Sequence, residues 1–178
     1  MIFSAVKFAS AAVFLFSIAA CTTPPSAENA DAHAVQASAP GEAQCFSPNP
    51  TEQLAGVQAT NAVRSRAGLP AVQANATLAH AAAAHACDMA KRGRMTHTGS
   101  STSGPGPRVK SLGYAPRVTA ENIAAGPYDT RQALAAWNAS SGHLQNILIP
   151  QLRDYGIGSA IGSDGRTIYW AAVYAAPR

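Results

Sequence analysis

Apolar residues recur at helical spacing in two segments of the first half of the chain. The first segment begins at Asn49-Pro50, where proline is tolerated in the first turn, and it runs until Gly68 interrupts it. The second begins near Asn75 and ends at Gly93, and alanine fills much of its surface. The pattern predicts two helices. The side chains on one face of the second helix are small enough for close packing against another helix or a sheet.

The pattern changes in the second half of the chain. Residues 100–107 are all Ser, Thr, Gly and Pro and predict an irregular loop, which short strands around 117–120 follow. Asp129 and Thr130 are typical helix caps, and a further helical turn is predicted over 144–148. Larger side chains alternate with glycines over 155–159, residues 163–166 indicate a turn, and residues 168–174 are rich in β-branched and aromatic side chains, which together predict an antiparallel hairpin. Helices followed by a hairpin indicate an α+β layered domain.

The N-terminus resembles an export signal. Its apolar run, Phe8 to Ala20, is far shorter than the ~20 residues of a membrane-spanning helix, so residues 1–20 are predicted to be a signal peptide. The run ends in Ile18-Ala19-Ala20-Cys21, which resembles a bacterial lipobox and implies that Cys21 is lipidated. Thr22 in the next position then implies an exported protein held by lipid in the outer membrane of the cell envelope. The alternative is a plain secretory signal with a coincidental cysteine.

Residues 21–44 are rich in Ala, Pro, Ser and Thr and lack apolar periodicity. Such a segment buries too little surface to offset its ordering entropy, so it is predicted to be a disordered tether. Residues 45–178 are then expected to form one domain and to be monomeric. If Cys21 carries lipid, Cys45 and Cys87 remain, and in an oxidising compartment they are expected to form a disulfide. Two buried thiols are the alternative.

The predicted domain is basic. It carries twelve Lys and Arg against six Asp and Glu, a net charge of +6, and part of the excess is local. Such a surface can attract anionic lipid or acidic cell-wall polymers, although a solvated basic rim is the better explanation. No nucleic-acid partner is expected, because no recognition motif is present. The local basic residues are Lys91, Arg92, Arg94, Arg108 and Lys110.

Three polar residues stand beside glycine or small polar residues rather than inside apolar runs. They are His97, Glu121 and His143, and they supply two imidazoles and one carboxylate. Polar groups in loops that a fold brings together are typical of a functional site. By contrast, His80 and His85 lie five positions apart on a predicted helix and point to different faces, so they do not form a metal pair.

Several motifs in chain order resemble the CAP superfamily, which includes plant pathogenesis-related protein 1 and the cysteine-rich secretory proteins. The resemblance covers residues 51–175 and implies a three-layer α-β-α sandwich. It also implies a cleft at which His, Glu, Glu and His converge and which binds zinc or another divalent metal in some members. The motifs are Asn61-x-x-Arg64 with Gly68-Leu69-Pro70, the helix run Leu78…Ala82…His85-Ala86…Met89 with His97, Glu121-Asn122-Ile123, Trp137 with Ser140-x-Gly142-His143-x-x-Asn146-Ile147-Leu148, and Gly156-Ile157-Gly158 with Tyr169-Trp170.

By that resemblance His97, Glu121 and His143 match three of the four cleft residues, and Ser140 stands where the second glutamate is expected. Two imidazoles and a carboxylate are an adequate first shell for Zn²⁺, with Glu121 also the candidate base. Ser140 cannot act as a base at neutral pH. Each residue has a structural alternative: His97 can end a helix, Glu121 can hold a backbone amide or an arginine, and His143 can cap the following turn.

The missing carboxylate favours binding over catalysis. The first hypothesis is an envelope-anchored CAP-domain lipoprotein whose cleft binds a lipid, glycan or cell-wall ligand, with or without a divalent metal, and with little or no catalysis. The alternative is a zinc-dependent hydrolase that acts on an envelope component or a peptide. A third hypothesis is a protein that serves only in cell-surface interaction or structure.

Overall fold

The structure is a computed structural model that describes Met1 and residues 34–178. The predicted signal peptide, the lipidation site at Cys21 and the first part of the predicted tether therefore lie outside the described residues. The helices are α1 (Pro50–Arg66), α2 (Ala76–Arg92), α3 (Pro105–Ser111), α4 (Thr130–Ala139) and α5 (Ser141–Ile147). The strands are β1 (Val35–Gln36), β2 (Gln44–Cys45), β3 (Gln73–Ala74), β4 (Arg94–Met95), β5 (Pro116–Gly126), β6 (Asp154–Ile161) and β7 (Ile168–Pro177).

The main sheet has the strand order β2–β6–β7–β5, with β3 parallel to β6 and the other pairs antiparallel. Side chains of β7 alternate between two cores. Tyr169 and Val173 pack with α2 and α3, whereas Trp170 and Tyr174 pack with α1, α4 and α5. Helices thus cover both faces of the sheet, which confirms the predicted α+β class, the α-β-α sandwich and the C-terminal hairpin.

The alanine-rich helix α2 lies directly on the sheet. A Cβ atom at Gly156 would overlap the backbone of Ala79, and one at Gly158 would overlap the backbone of Ala83. The glycines of β6 and the alanines of α2 therefore allow helix and sheet to approach more closely than larger side chains would. The predicted close packing of this helix is confirmed, and its partner is the sheet.

Polar caps begin the three predicted helices near their predicted positions. The side chains of Asn49 and Asn75 accept backbone N–H groups at the starts of α1 and α2, and Asp129 forms a capping box with Gln132 at α4. Two predictions need correction. The loop over 100–107 ends at Pro105, where α3 begins, because proline suits a first helical turn. The short strands around 117–120 are one eleven-residue strand, β5.

The end of the predicted tether also differs from expectation. Residues 35–44 lie against the domain rather than forming a free linker: β1 pairs with β4, and the amides of Ala37 and Ser38 donate to the Gly93 carbonyl at 2.9 and 3.1 Å. Gly93 ends α2 with a φ of 64°, and a Cβ there would overlap the Ser38 carbonyl. Backbone hydrogen bonds order this segment, and they do not depend on side-chain size. The composition of the segment therefore could not predict that it is ordered.

The disulfide between Cys45 and Cys87 is present and joins β2 to α2. On the other face of the sheet, the fully buried Arg64 of α1 donates to carbonyls at the end of α5 and beyond it, including Ile147 at 2.7 Å and Ile149 at 2.9 Å. No helix in the described part of the chain is both long and apolar enough to cross a bilayer.

Candidate functional site

Glu121 is the centre of the candidate site. It lies on β5, its side chain is 1% exposed, and it points toward the layer that contains α2 and α3. Its Oε2 accepts a hydrogen bond from Arg108 Nη1 at 2.5 Å, and its Oε1 lies 2.9 Å from His97 Nδ1. Both carboxylate oxygens therefore have charged or hydrogen-bonding partners, as a buried carboxylate requires.

Arg108 is a site residue that the sequence pattern placed on a basic rim. It lies on α3, where it is buried, and its second nitrogen, Nη2, donates to the His97 carbonyl at 3.0 Å. Arg108 thus holds both the carboxylate of Glu121 and the backbone of His97. The sequence analysis pointed to this contact only through the alternative that Glu121 holds an arginine. A buried carboxylate is commonly paired with a cation.

His85 of α2 is the third group beside Glu121. It is buried, its Nε2 donates to the Thr96 carbonyl at 2.8 Å, and that nitrogen lies 3.7 Å from Glu121 Oε1. Burial lowers the pKa of His85 to about 4, although the nearby Glu121 carboxylate acts in the opposite direction. His85 is therefore neutral at pH 7, as expected of a core histidine.

His97 follows β4 and is 30% exposed. In the neutral imidazole, Nδ1 donates its proton to Glu121, and this fixes the tautomer in which Nε2 is the acceptor nitrogen. Glu121 therefore acts on His97 from behind, as a group that orients the ring. The role of Glu121 as a direct metal ligand or base stays a prediction.

The backbone of His143 is held by Asn122, which is held in turn by Asn146, and the sequence pattern did not single out either asparagine as a site residue. Asn122 Nδ2 donates to the His143 carbonyl at 3.2 Å, and Asn146 Nδ2 donates to Asn122 Oδ1 at 2.8 Å and to the Glu121 carbonyl at 3.1 Å. Glu121 and Asn122 project to opposite faces of β5, because they are neighbours in a strand. Together they connect β5, α3 and α5 around one site.

His97 and His143 line the same cleft, whose volume is about 560 Å³. Ser140, between α4 and α5, also lines it, whereas Glu121 lies behind His97. None of the described residues that line the cleft carries a permanent charge. The apolar lining residues are Val35, Met95 and Ile123, and the polar ones are His97, Ser140, His143, Gln145 and Asn146.

The expected zinc set of His97, Glu121 and His143 does not form one coordination shell in this structure. Within residues 34–178, no three His, Cys, Asp or Glu side chains are arranged to hold a metal ion. The reason is visible at Glu121, whose carboxylate is bound by Arg108 and directed at His97 Nδ1. The donors that face the cleft are therefore two imidazoles without a carboxylate.

The basic cluster is also weaker than its sequence indicated. Arg108 is buried against Glu121, and Arg92 Nη2 forms an ion pair with Asp88 at 2.6 Å. Two of its five charges are thus compensated locally. This leaves the solvated rim as the better interpretation of this surface.

An α-β-α sandwich with two histidines at a cleft and a glutamate behind one of them agrees with the CAP-type domain that the sequence resemblance implies. The profile of the CAP family, described as the cysteine-rich secretory protein family, matches residues 57–174. The chain belongs to this family.

Bacterial relatives agree with the assignment. The uncharacterized protein YkwD of Bacillus subtilis is 34% identical over 102 residues, which are 57% of this chain and 40% of that protein. An extracellular SCP-domain protein of Bacillus anthracis has a TM-score of 0.62 at 25% identity. The match covers 71% of this chain and 40% of that protein. An outer surface protein of Borrelia burgdorferi has a TM-score of 0.64 at 17% identity, with 72% and 95% covered, and shows the fold alone. The chain thus spans less than half the length of two of these proteins.

Proposed function

We propose that this chain is an envelope-anchored CAP-domain lipoprotein whose cleft binds a ligand and catalyses little or no reaction. The observation that carries the proposal is the state of Glu121, whose carboxylate is buried between Arg108 and His97. A carboxylate in a strong buried ion pair is a poor general base, and Ser140 offers no replacement. The polar groups that remain in the cleft can donate and accept hydrogen bonds.

The lining supports a ligand of mixed character. Apolar contacts come from Met95 and Ile123, and hydrogen-bonding groups come from His97, Gln145 and Asn146. Because no fixed charge faces the cleft among the described residues, a neutral ligand with hydroxyl or amide groups and an apolar part suits it best. Glycans and lipid-like molecules of the envelope have this chemistry. Export, lipidation at Cys21 and the outer-membrane location are parts of the same proposal.

The test is native mass spectrometry of the purified protein with two probe sets, soluble peptidoglycan fragments and an envelope lipid extract. We expect saturable adducts with one set, lost in the variant His97→Gln/His143→Gln. The control is His80→Gln, which changes an exposed histidine outside the cleft. Adducts that persist in the double variant, or no saturable adduct with either set, would contradict the proposal.

A zinc-dependent hydrolase is the second candidate, favoured by the fact that both histidines line one cleft. This candidate requires one of two conditions. Either the Glu121 carboxylate separates from Arg108, or zinc binds to the two histidines without a protein carboxylate. Elemental analysis of protein purified without an affinity tag distinguishes the two candidates. Stoichiometric zinc that disappears in His97→Ala/His143→Ala, with metal-dependent turnover of the bound probe, would support the hydrolase and overturn the binding proposal.

A further inference from the structure

A second cavity lies apart from the histidine cleft and shares no lining residue with it. It has a volume of about 700 Å³ and is formed by the first turn of α1, the start of α4 and the turn end of the β6–β7 hairpin, where Ile161 pairs with Ile168. Phe46 and Trp170 contribute aromatic surface, and Ile161 and Ile168 add apolar surface from the hairpin. The cavity is thus large enough for a small organic molecule.

The charge of this cavity is opposite to that of the domain. Residues 45–178 carry a net charge of +6, yet the lining contains two carboxylates, Glu52 and Asp129, and no Lys, Arg or His among the described residues. A cavity of this sign in a basic domain selects for cations, because its walls attract them while the remaining surface repels them.

Glu52 is the carboxylate that lacks a cationic partner among residues 34–178. Its oxygens accept from the Ser159 hydroxyl, at 3.3 and 3.5 Å, and no Lys, Arg or His nitrogen of the described residues lies within 4 Å of it. Burial raises the pKa of Glu52, and the Ser159 hydrogen bond offsets this only in part. A cation that entered the cavity would relieve the cost of keeping this half-buried group charged.

Asp129 differs from Glu52 in this respect. Its Oδ1 accepts the backbone N–H of Gln132 at the start of α4, and its Oδ2 lies 3.9 Å from the exposed guanidinium of Arg131. Asp129 therefore already has a structural role and a weak partner. Asp129 adds negative potential to the cavity, whereas the Glu52 carboxylate is the group that a bound cation would contact.

The aromatic wall fits the same kind of ligand. Phe46 is 45% exposed, and it follows Cys45, whose disulfide to Cys87 joins this segment to α2. Trp170 is held by a hydrogen bond from its Nε1 to the Tyr128 carbonyl at 3.0 Å. Aromatic rings next to a carboxylate bind alkylated ammonium groups, which combine positive charge with apolar surface.

We propose that this cavity is a binding site for an organic ammonium ion, held by Glu52 and by the aromatic surface of Phe46 and Trp170. The site is independent of the histidine cleft, and the ligand class is an alkylated amine rather than a metal ion. Ser159 orients the carboxylate, and Ile161 and Ile168 contact the alkyl part.

The test is a titration with choline, followed by the indole N–H signals of the two tryptophans in NMR spectra. The protein is the full-length chain with Cys21→Ala, which prevents lipidation at the predicted site. We expect saturable shifts of the Trp170 signal with a dissociation constant on the order of millimolar. The uncharged isostere 3,3-dimethyl-1-butanol is expected to bind about tenfold more weakly, because it lacks the charge.

Glu52→Gln keeps the size of the side chain and its ability to accept from Ser159, so the fold should remain intact by circular dichroism. We expect it to weaken choline binding about tenfold. The matched control is Glu42→Gln, which removes the same charge at an exposed position outside the cavity and should leave binding unchanged. Equal binding of choline and its neutral isostere, an unchanged affinity in folded Glu52→Gln, or no saturable shift would each overturn the proposal.

Discussion

Arg108 Nη1 and Glu121 Oε2 lie 2.5 Å apart, with side chains that are 8% and 1% exposed. This ion pair joins a seven-residue helix to the edge strand β5, and it explains why the candidate site has a carboxylate behind the cleft rather than in it. Breaking the pair would leave one buried charge uncompensated. The pair is therefore both a structural element and the feature on which the proposed binding function rests.

The first prediction is that Arg108→Met destabilises the protein by about 3–5 kcal/mol, because Glu121 would remain as an unpaired buried charge. Replacing both residues, in Arg108→Met/Glu121→Gln, should cost less than the sum of the two single changes, since no charge is left unpaired. Urea denaturation followed by circular dichroism measures the free energy of unfolding for all four members of the cycle.

Arg131→Met is the control for that cycle. The Arg131 side chain is 90% exposed and its nitrogen lies 3.9 Å from Asp129, so the loss should be below about 0.5 kcal/mol. If Arg108→Met lowered the free energy of unfolding no more than Arg131→Met, the Arg108–Glu121 pair would not stabilise the folded protein. The Glu121 carboxylate would then not be held by Arg108 as proposed.

The second prediction concerns pH. Burial lowers the pKa of His85 from 6.5 to about 4, so the unfolded chain binds the proton more readily than the folded protein. The stability that neutral His85 provides is complete above pH 6.5 and is lost as the pH falls toward 4, by about 3 kcal/mol in total. The charged groups that face His85 are Glu121, Arg108 and Asp88.

Denaturation midpoints measured between pH 7 and pH 4 test this assignment. Asp88 has a pKa below its usual 3.8, because hydrogen bonds from Ser100 and Arg92 outweigh the effect of burial, so the stability that it contributes is lost mainly below pH 4. In His85→Gln the slope between pH 6.5 and 4 should decrease, whereas His80→Gln should keep the wild-type slope. Equal slopes in wild type and His85→Gln would show that His85 does not titrate in this range.

The sequence predicted the fold well where a periodic pattern coincided with a cap, as at Asn49 for α1 and Asp129 for α4. It failed where backbone hydrogen bonds or distant contacts decide the outcome. Residues 35–44 are ordered by carbonyls near Gly93, and α3 is fixed by burial of Val109 and Arg108. The polar settings of His97, Glu121 and His143 and the family resemblance both pointed to these three residues, but the partner of Glu121 depends on how α3 lies against β5, which no local pattern encodes.

The third prediction concerns the disulfide. Cys45 and Cys87 are 42 residues apart, and closing a loop of this length stabilises a protein by about 4 kcal/mol in the chain-entropy treatment. Urea denaturation of Cys45→Ser/Cys87→Ser should show a loss approaching this value. Because Phe46 follows Cys45, the same variant should also weaken choline binding if the disulfide fixes the rim of the second cavity. Stability equal to wild type would show that β2 is held by its pairing with β6 alone.

The fourth prediction is that Gly158→Ala destabilises the domain by about 3 kcal/mol or more, because the added methyl group overlaps the backbone of Ala83 and neither β6 nor α2 can move without disturbing both cores. Thermal unfolding measures the change. Gly142→Ala is the matched control: a Cβ there meets no atom within 4 Å, and alanine favours the helical conformation of α5. We therefore expect a lower Tm for Gly158→Ala and an equal or higher Tm for Gly142→Ala. If both variants unfolded at the wild-type temperature, α2 could move away from the sheet with little loss of stability. The close contact between α2 and β6 would then not be a requirement of the fold.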